Sequence, residues 1–219
     1  MNQHLDYETL FYDDPDVGPG EPRGRKQGKT MKHKRNLDID YIFWDLDGVF
    51  ADFVGGVLDL LGLDQLTAGT NWKPGEYSIE NVLGISTERL WNLINRGGVE
   101  WWSHLDRFEW HTELRSIIAD SRGSHSILTS PGDCPFAYQG KRIWSDRHLS
   151  GLPLHLTSQK QLLAKSSALL IDDNDRNCEQ FIAAGGRAIL FPQIWNSNHG
   201  EVDQRIDYVR EQLIEFRVL

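Results

Sequence analysis

Residues 39–48 read Ile39-Asp40-Tyr41-Ile42-Phe43-Trp44-Asp45-Leu46-Asp47-Gly48, and this stretch decides the fold. A short apolar run of β-branched and aromatic residues favours an extended strand. It stops at two carboxylates separated by one residue. In extended chain, residues two apart point the same way, so Asp45 and Asp47 share a direction and Leu46 turns into packing. Gly48 lets the backbone turn tightly beside them. The next stretch, residues 51–61, suits a helix ending near Gly62.

The same grammar recurs further on. Ser126-Ile127-Leu128 reads as a strand running into Thr129-Ser130-Pro131, and Leu154-His155-Leu156 as a short strand. Ala168-Leu169-Leu170-Ile171 reads as a fully buried strand ending in Asp172-Asp173, and Arg187–Phe191 as a fifth. Helices are expected near 87–95, 109–121, 137–149, 175–184 and 203–216. Short apolar strands alternating with helices imply an α/β fold, a parallel sheet covered on both faces in three Rossmann-like layers. In such sheets ligands bind outside the carboxyl ends of the strands. Asp45, Asp47, Thr129, Asp172 and Asp173 all fall there. Acids gathered at one edge repel one another unless a cation or proton compensates. Hard carboxylate oxygens suit Mg²⁺, which keeps several waters and binds through few protein ligands plus substrate phosphate.

The 219 residues are enough for one domain carrying an inserted subdomain, with a core that needs no disulfide. Only two cysteines are present, Cys134 and Cys178, and they read as free thiols of a cytoplasmic protein. No apolar run approaches a membrane span, and the polar opening residues do not read as a signal sequence. The net charge of −9 is uneven. Residues 1–35 hold seven basic and six acidic side chains, so the rest is strongly acidic and unsuited to wrapping duplex DNA. Residues 1–36 read as a disordered polar and basic tail, capable at most of weak nucleic-acid contact. Gly28-Lys29-Thr30 ends like a phosphate-binding P-loop, but Arg23 stands where that pattern needs glycine. The histidines form no zinc spacing with a cysteine and read as packing or surface residues.

The ordered set Asp45-Leu46-Asp47-Gly48-Val49, Thr129, a lysine, then Asp172-Asp173 resembles the haloacid dehalogenase-like phosphohydrolase superfamily over residues 39–192. Asp45–Gly56, a Trp-rich insertion, Ile127–Pro131, Cys134-Pro135 with Lys141 and Trp144, and Leu156-Thr157 with Lys160 more closely resemble the 5'(3')-deoxyribonucleotidase family. The segment between Pro131 and Cys134 is shorter than that family's, and Asn174-Asp175 follows the acid pair.

The resemblance implies a Mg²⁺-dependent phosphomonoester hydrolase acting on nucleoside monophosphates through an aspartyl-phosphate. Asp45 would be the nucleophile and Asp47 the general acid and base. Asp45, the backbone carbonyl of Asp47 and Asp173 would hold Mg²⁺, with Asp172 behind them. Thr129 would bond the phosphoryl group, and Ser130 is either its helper or a turn residue. Lys141 best matches the phosphoryl-neutralising position, Lys160 is a second candidate, and Lys165 reads as a surface lysine. Residues 37–62 and 107–219 would form the core, and 63–106 a cap over the site. Trp72, Trp91, Trp101 and Trp102 would either build the cap's own small core or stack on a base. Phe53 and Trp102 are the candidate base contacts. A polynucleotide 3'-phosphatase would share every core residue, and a catalytically idle nucleic-acid-binding or assembly module is the alternative from another class. The sequence leaves the oligomeric state open.

Overall fold

Alternation along the strands builds the sheet and its two faces. The structure, a computed structural model, describes residues 38–63 and 72–219. The expected tail and part of the expected cap, 64–71, lie outside the described residues. Among the described residues five strands are present: β1 (Tyr41–Trp44), β2 (Ser124–Thr129), β3 (Leu154–Leu156), β4 (Ala168–Asp172) and β5 (Arg187–Leu190). They form one parallel sheet in the order β3-β2-β1-β4-β5. Ile42, Trp44, Ile127, Leu169 and Ile171 join the larger apolar cluster on one face. Their strand neighbours Phe43, Leu128, Ala168 and Leu170 join the smaller cluster on the other. Every residue of β4 is buried, as its unbroken apolar run requires.

The helices are α1 (Phe53–Leu60), α2 (Ile79–Leu83), α3 (Thr87–Ser103), α4 (His111–Asp120), α5 (Ala137–His148), α6 (Asp175–Ala183) and α7 (Arg205–Glu215). Short 3₁₀ turns at Lys160–Leu163 and His199–Gln204 complete the described elements. Side chains of α1, α3, α4, α5 and α7 fill the larger cluster, and Phe181 of α6 the smaller one. Capping sets several starts: Asp52, Ser78, Ser86 and Asn174 each accept a bond from the backbone N–H three residues on.

Two elements depart from the sequence expectation. Residues 79–83, outside the helices expected from the sequence, form a helical turn between the Ser78 cap and Gly84, whose φ of 61° ends it. The helix expected at 87–95 continues to Ser103 across a break at Gly98, where φ is 59° and ψ is −157°. Glycine tolerates that backbone, so the chain resumes helix with a new heading instead of ending.

The chain runs outward from β1 to β2 to β3, then returns to place β4 on the other side of β1. The order therefore reverses beside β1 and β4, which opens a crevice at their carboxyl ends. Trp44 pairs with Ile127 and Ile171, so β4 runs to Asp172 and β2 to Thr129 just past the end of β1, at the same sheet edge. The Asp45 N–H extends the ladder by one bond, 2.8 Å to the Ile171 carbonyl.

Candidate active site

Asp45 leaves β1 with its Oδ1 accepting the N–H of Leu46 at 2.7 Å. The chain then coils back on itself: the N–H groups of Phe50 and Ala51 donate to the Leu46 carbonyl at 2.8 and 2.9 Å. Leu46 is sealed in the core, which leaves Asp47 on the same side as Asp45. Gly48 has φ of 75°, and a Cβ there would lie 2.1 Å from Asp173 Oδ2. Its place is set by the close approach of a carboxylate as well as by the turn.

Two lysines pair with three of the four acids, Asp173 being left without one. Lys160, 3% exposed, sits 2.8 Å from Asp45 Oδ1 and 2.6 Å from Asp172 Oδ2. Lys141, 2% exposed, sits 2.6 Å from Asp47 Oδ2 and donates to Thr129 Oγ1 at 3.1 Å and to the Ser130 carbonyl. The sequence ranks one above the other; the structure brings both in, Lys141 to Asp47 and Lys160 to Asp45 and Asp172. Lys165 lies elsewhere, over the ring of Tyr41 at the start of β1. Ser130 Oγ accepts from the Gly132 N–H at 3.2 Å, the geometry of a turn residue.

Asp172 is fully buried and spends its oxygens inward, on Lys160, the Asn174 N–H and the Asn177 side-chain amide. Asp173 instead borders a cavity of about 250 Å³. All the expected site residues except Asp172 line that cavity: Asp45, Asp47, Phe53, Trp102, Thr129, Ser130, Lys141, Lys160 and Asp173.

With all four carboxyls ionised, two ammonium groups would leave two negative charges in a buried site. Burial pushes the carboxyl of Asp173 well up, and the neighbouring charges of Asp172 and Asp45 push it further. Burial likewise raises Asp172 to about 6, opposed by Lys160. Asp47 is raised by burial, against the pull of Lys141. Burial alone would lower Lys160, but the charges of Asp172 and Asp45 outweigh it and hold the ammonium protonated. Carboxylate oxygens of Asp45, Asp172 and Asp173 approach within 4.8 Å of one another. A hard divalent cation fits this donor set, because it brings the missing two charges and accepts oxygen ligands.

The aromatic wall is more committed than the sequence suggests. Trp102 is 1% exposed, its indole N–H donates to Cys134 Sγ at 3.2 Å, and Lys141 Nζ stands 4.9 Å from its ring centre. Phe53 stacks on Trp102 at 5.6 Å and meets Trp101 edge-on. Trp91, half-buried, also lines the cavity, while Trp72 is buried against Trp195. His111 and His125 are packing residues, as expected: Trp44 donates to His125 at 3.0 Å, and burial lowers His111 to about 4.

Sequence reading missed the segment after β5. Trp195 Nε1 donates to Asp173 Oδ2 at 2.7 Å, and the Asn196 amide donates to the Asp173 carbonyl at 2.8 Å. The Gln193 amide donates to the Gly48 carbonyl. The available signal was positional: β5 ends at the same sheet edge as β1, β2 and β4.

A family model described as "5' nucleotidase, deoxy (Pyrimidine), cytosolic type C protein" matches residues 39–218. Among solved structures, a haloacid dehalogenase family hydrolase from Deinococcus radiodurans with bound phosphate and sodium is similar at 14% identity and a TM-score of 0.53. That match covers 84% of this chain and 99% of that one. A hydrolase from Streptococcus pneumoniae matches at 18% identity and a TM-score of 0.45, over 76% of this chain and 99% of that one. Comparison with curated protein sequences finds no match. The Deinococcus likeness shows the fold. No helix among the described residues is long and apolar enough to cross a membrane.

Proposed function

Because the chain belongs to the deoxy (pyrimidine), cytosolic type C 5' nucleotidase family and is a haloacid dehalogenase-type phosphatase, we propose that it is a Mg²⁺-dependent nucleotidase. Its substrates are nucleoside 5'-monophosphates, preferentially deoxyribonucleotides, and its place of work is the cytosol. The observation that carries this reading is the division of the acids, with Asp45 on Lys160 and Asp47 on Lys141 across one cavity floor.

Asp45 attacks phosphorus while the ester oxygen leaves, giving an aspartyl-phosphate and an alcohol. Lys160 and the Leu46 N–H fix the direction of that attack by holding Asp45 Oδ1. Asp47 delivers the proton that the leaving alkoxide needs. It then takes a proton from water as that water attacks phosphorus, releasing phosphate and restoring Asp45. Asp47 must be protonated at the first step, and its burial favours this. Lys141 opposes it in the free enzyme. A bound phosphoryl group would draw the Lys141 ammonium and the Thr129 hydroxyl to its own oxygens and so let Asp47 take up its proton.

Asp45, the Asp47 carbonyl and Asp173 would hold Mg²⁺, and Asp172 would steady them from behind through Lys160. The ion neutralises charge on the phosphoryl oxygens when bound. The cap expected at 63–106, of which 63 and 72–106 are described, would shield the site on the 37–62 and 107–219 core from bulk water. Within the cap's reach, Phe53, Trp91 and Trp102 make an aromatic wall suited to a base, worth about 1–3 kcal/mol per stacked base. Phe53 presents the stack to the cavity and Trp102 backs it.

The deciding experiment compares kcat/KM, with and without Mg²⁺, for deoxyribonucleoside and ribonucleoside 5'-monophosphates, 3'-phosphorylated oligonucleotides and glucose 6-phosphate. Deoxyribonucleoside monophosphates are expected to lead. Preference for the oligonucleotides would move the assignment to a polynucleotide 3'-phosphatase. Asp45→Asn keeps the shape but removes the attacking charge, so turnover should fall to background with an unchanged melting temperature. Near-normal turnover in that folded variant would sink the covalent mechanism.

A further inference from the structure

Asp173 Oδ2 is confined from two directions. The Trp195 indole N–H reaches it at 2.7 Å, and the bare Cα of Gly48 closes the other side. Oδ1 has no hydrogen-bond partner among the described residues. An indole is a donor only, so it cannot compete with the carboxylate for a cation; it can only choose which oxygen faces away. Trp195 is itself held. It is 7% exposed, its ring packs on Trp72 at 5.8 Å, and the neighbouring Ile194 carbonyl accepts the Gly75 N–H at 2.9 Å. Trp72 in turn donates to the Glu76 carbonyl at 2.8 Å. Segment 72–77 therefore rests on Trp195, and its last residue, Tyr77, borders the cavity.

We propose that Trp195 is a positioning residue that fixes Asp173 for the metal and ties this carboxylate to segment 72–77. The inference rests on the metal site proposed above. Holding one oxygen of a ligating carboxylate spares the ion the work of orienting it, and partners of this kind typically change metal affinity about 10–100-fold. The tie also runs the other way. A cation that stiffens Asp173 stiffens the Trp195 ring, and with it the 72–77 wall.

The test is Mg²⁺ titration by calorimetry of wild type, Trp195→Phe, Trp195→His and Asp173→Asn, with hydrogen exchange of the 72–77 amides. Trp195→Phe keeps a ring against Trp72 and removes the N–H. It should bind Mg²⁺ about tenfold more weakly, and saturating metal should recover most of its kcat. Trp195→His, which returns a ring N–H, should regain part of the affinity. Exchange at 72–77 should slow with Mg²⁺ in wild type and respond less in Trp195→Phe. Equal Mg²⁺ affinity in wild type and folded Trp195→Phe, or metal-indifferent exchange at 72–77 in wild type, would overturn the proposal. Failure of the underlying metal site has a different signature: Asp173→Asn would bind as wild type does. Should Trp195→Phe not fold, the wild-type indole N–H resonances decide. One of them must shift on Mg²⁺ addition, and a set that does not move refutes the tie.

Discussion

At Gly48 the requirement for glycine comes from two directions at once. The positive φ of 75° strains any L side chain, by about 1–2 kcal/mol. The Cβ position, 2.1 Å from Asp173 Oδ2, is already occupied by a carboxylate. Gly48→Ala must therefore both strain the turn and push Asp173 off its Trp195 bond. We expect at least a tenfold loss of kcat and weaker Mg²⁺ binding, with stability lowered by about 1–3 kcal/mol. Urea unfolding beside steady-state rates checks this. A variant that loses stability but keeps wild-type Mg²⁺ response would show that the turn matters and the contact does not. Leu46, between Asp45 and Asp47, was legible in the sequence as a packing residue because strand alternation leaves it no other direction.

Among the elements, α3 carries the least expected geometry. Its helix breaks at Gly98 and resumes, and the second half delivers Trp101 and Trp102 to the Phe53 stack. The Trp101 indole N–H donates to the Gly56 carbonyl at 3.2 Å, which locks this half onto α1. A Cβ on Gly98 would meet nothing within 4 Å, so a substitution there probes the backbone alone. Its φ and ψ lie in a region open essentially to glycine, and Gly98→Ala should cost about 1–3 kcal/mol. The rotated wall should also raise KM for nucleotides more than for a small phosphate ester. Unchanged stability would mean that the break relaxes into continuous helix at no cost.

For the whole molecule the governing quantity is charge. The chain carries −9, and the site concentrates four acids against two lysines inside it. A bound divalent cation removes that repulsion only in the folded state, so it should stabilise by mass action. At a hundredfold over its Kd the gain is about 2.7 kcal/mol, or a rise of roughly 5–10 °C in melting temperature for a chain of this size. Chelator should reverse the rise, and Asp173→Asn should abolish most of it. Equal melting curves with excess chelator and excess Mg²⁺ would contradict the charge argument.

The order Asp45, Asp47, Thr129, Lys141, Lys160, Asp172, Asp173 is local information, and the sequence alone determined it. An apolar run of strand length ending in an acid says both where the strand stops and what stands at its edge. Parallel pairing then requires those edges to coincide, so the gathering of acids was legible before any coordinates. Which lysine meets which acid was not, because Lys141, on α5, and Lys160, in a 3₁₀ turn, reach Asp47 and Asp45 across long chain separations. Nor was the outward face of Asp173 set against the inward face of Asp172: adjacent residues must diverge, but only the packing of Trp195 and Asn177 says which goes where. Trp195, Gln193 and Asn196 carry no motif and act through bonds to atoms distant in the chain, Asp173 and the Gly48 carbonyl among them. Local pattern fixes direction along a strand; partners across the sheet are chosen by the tertiary fold, because contact there depends on how elements far apart in sequence come to rest together.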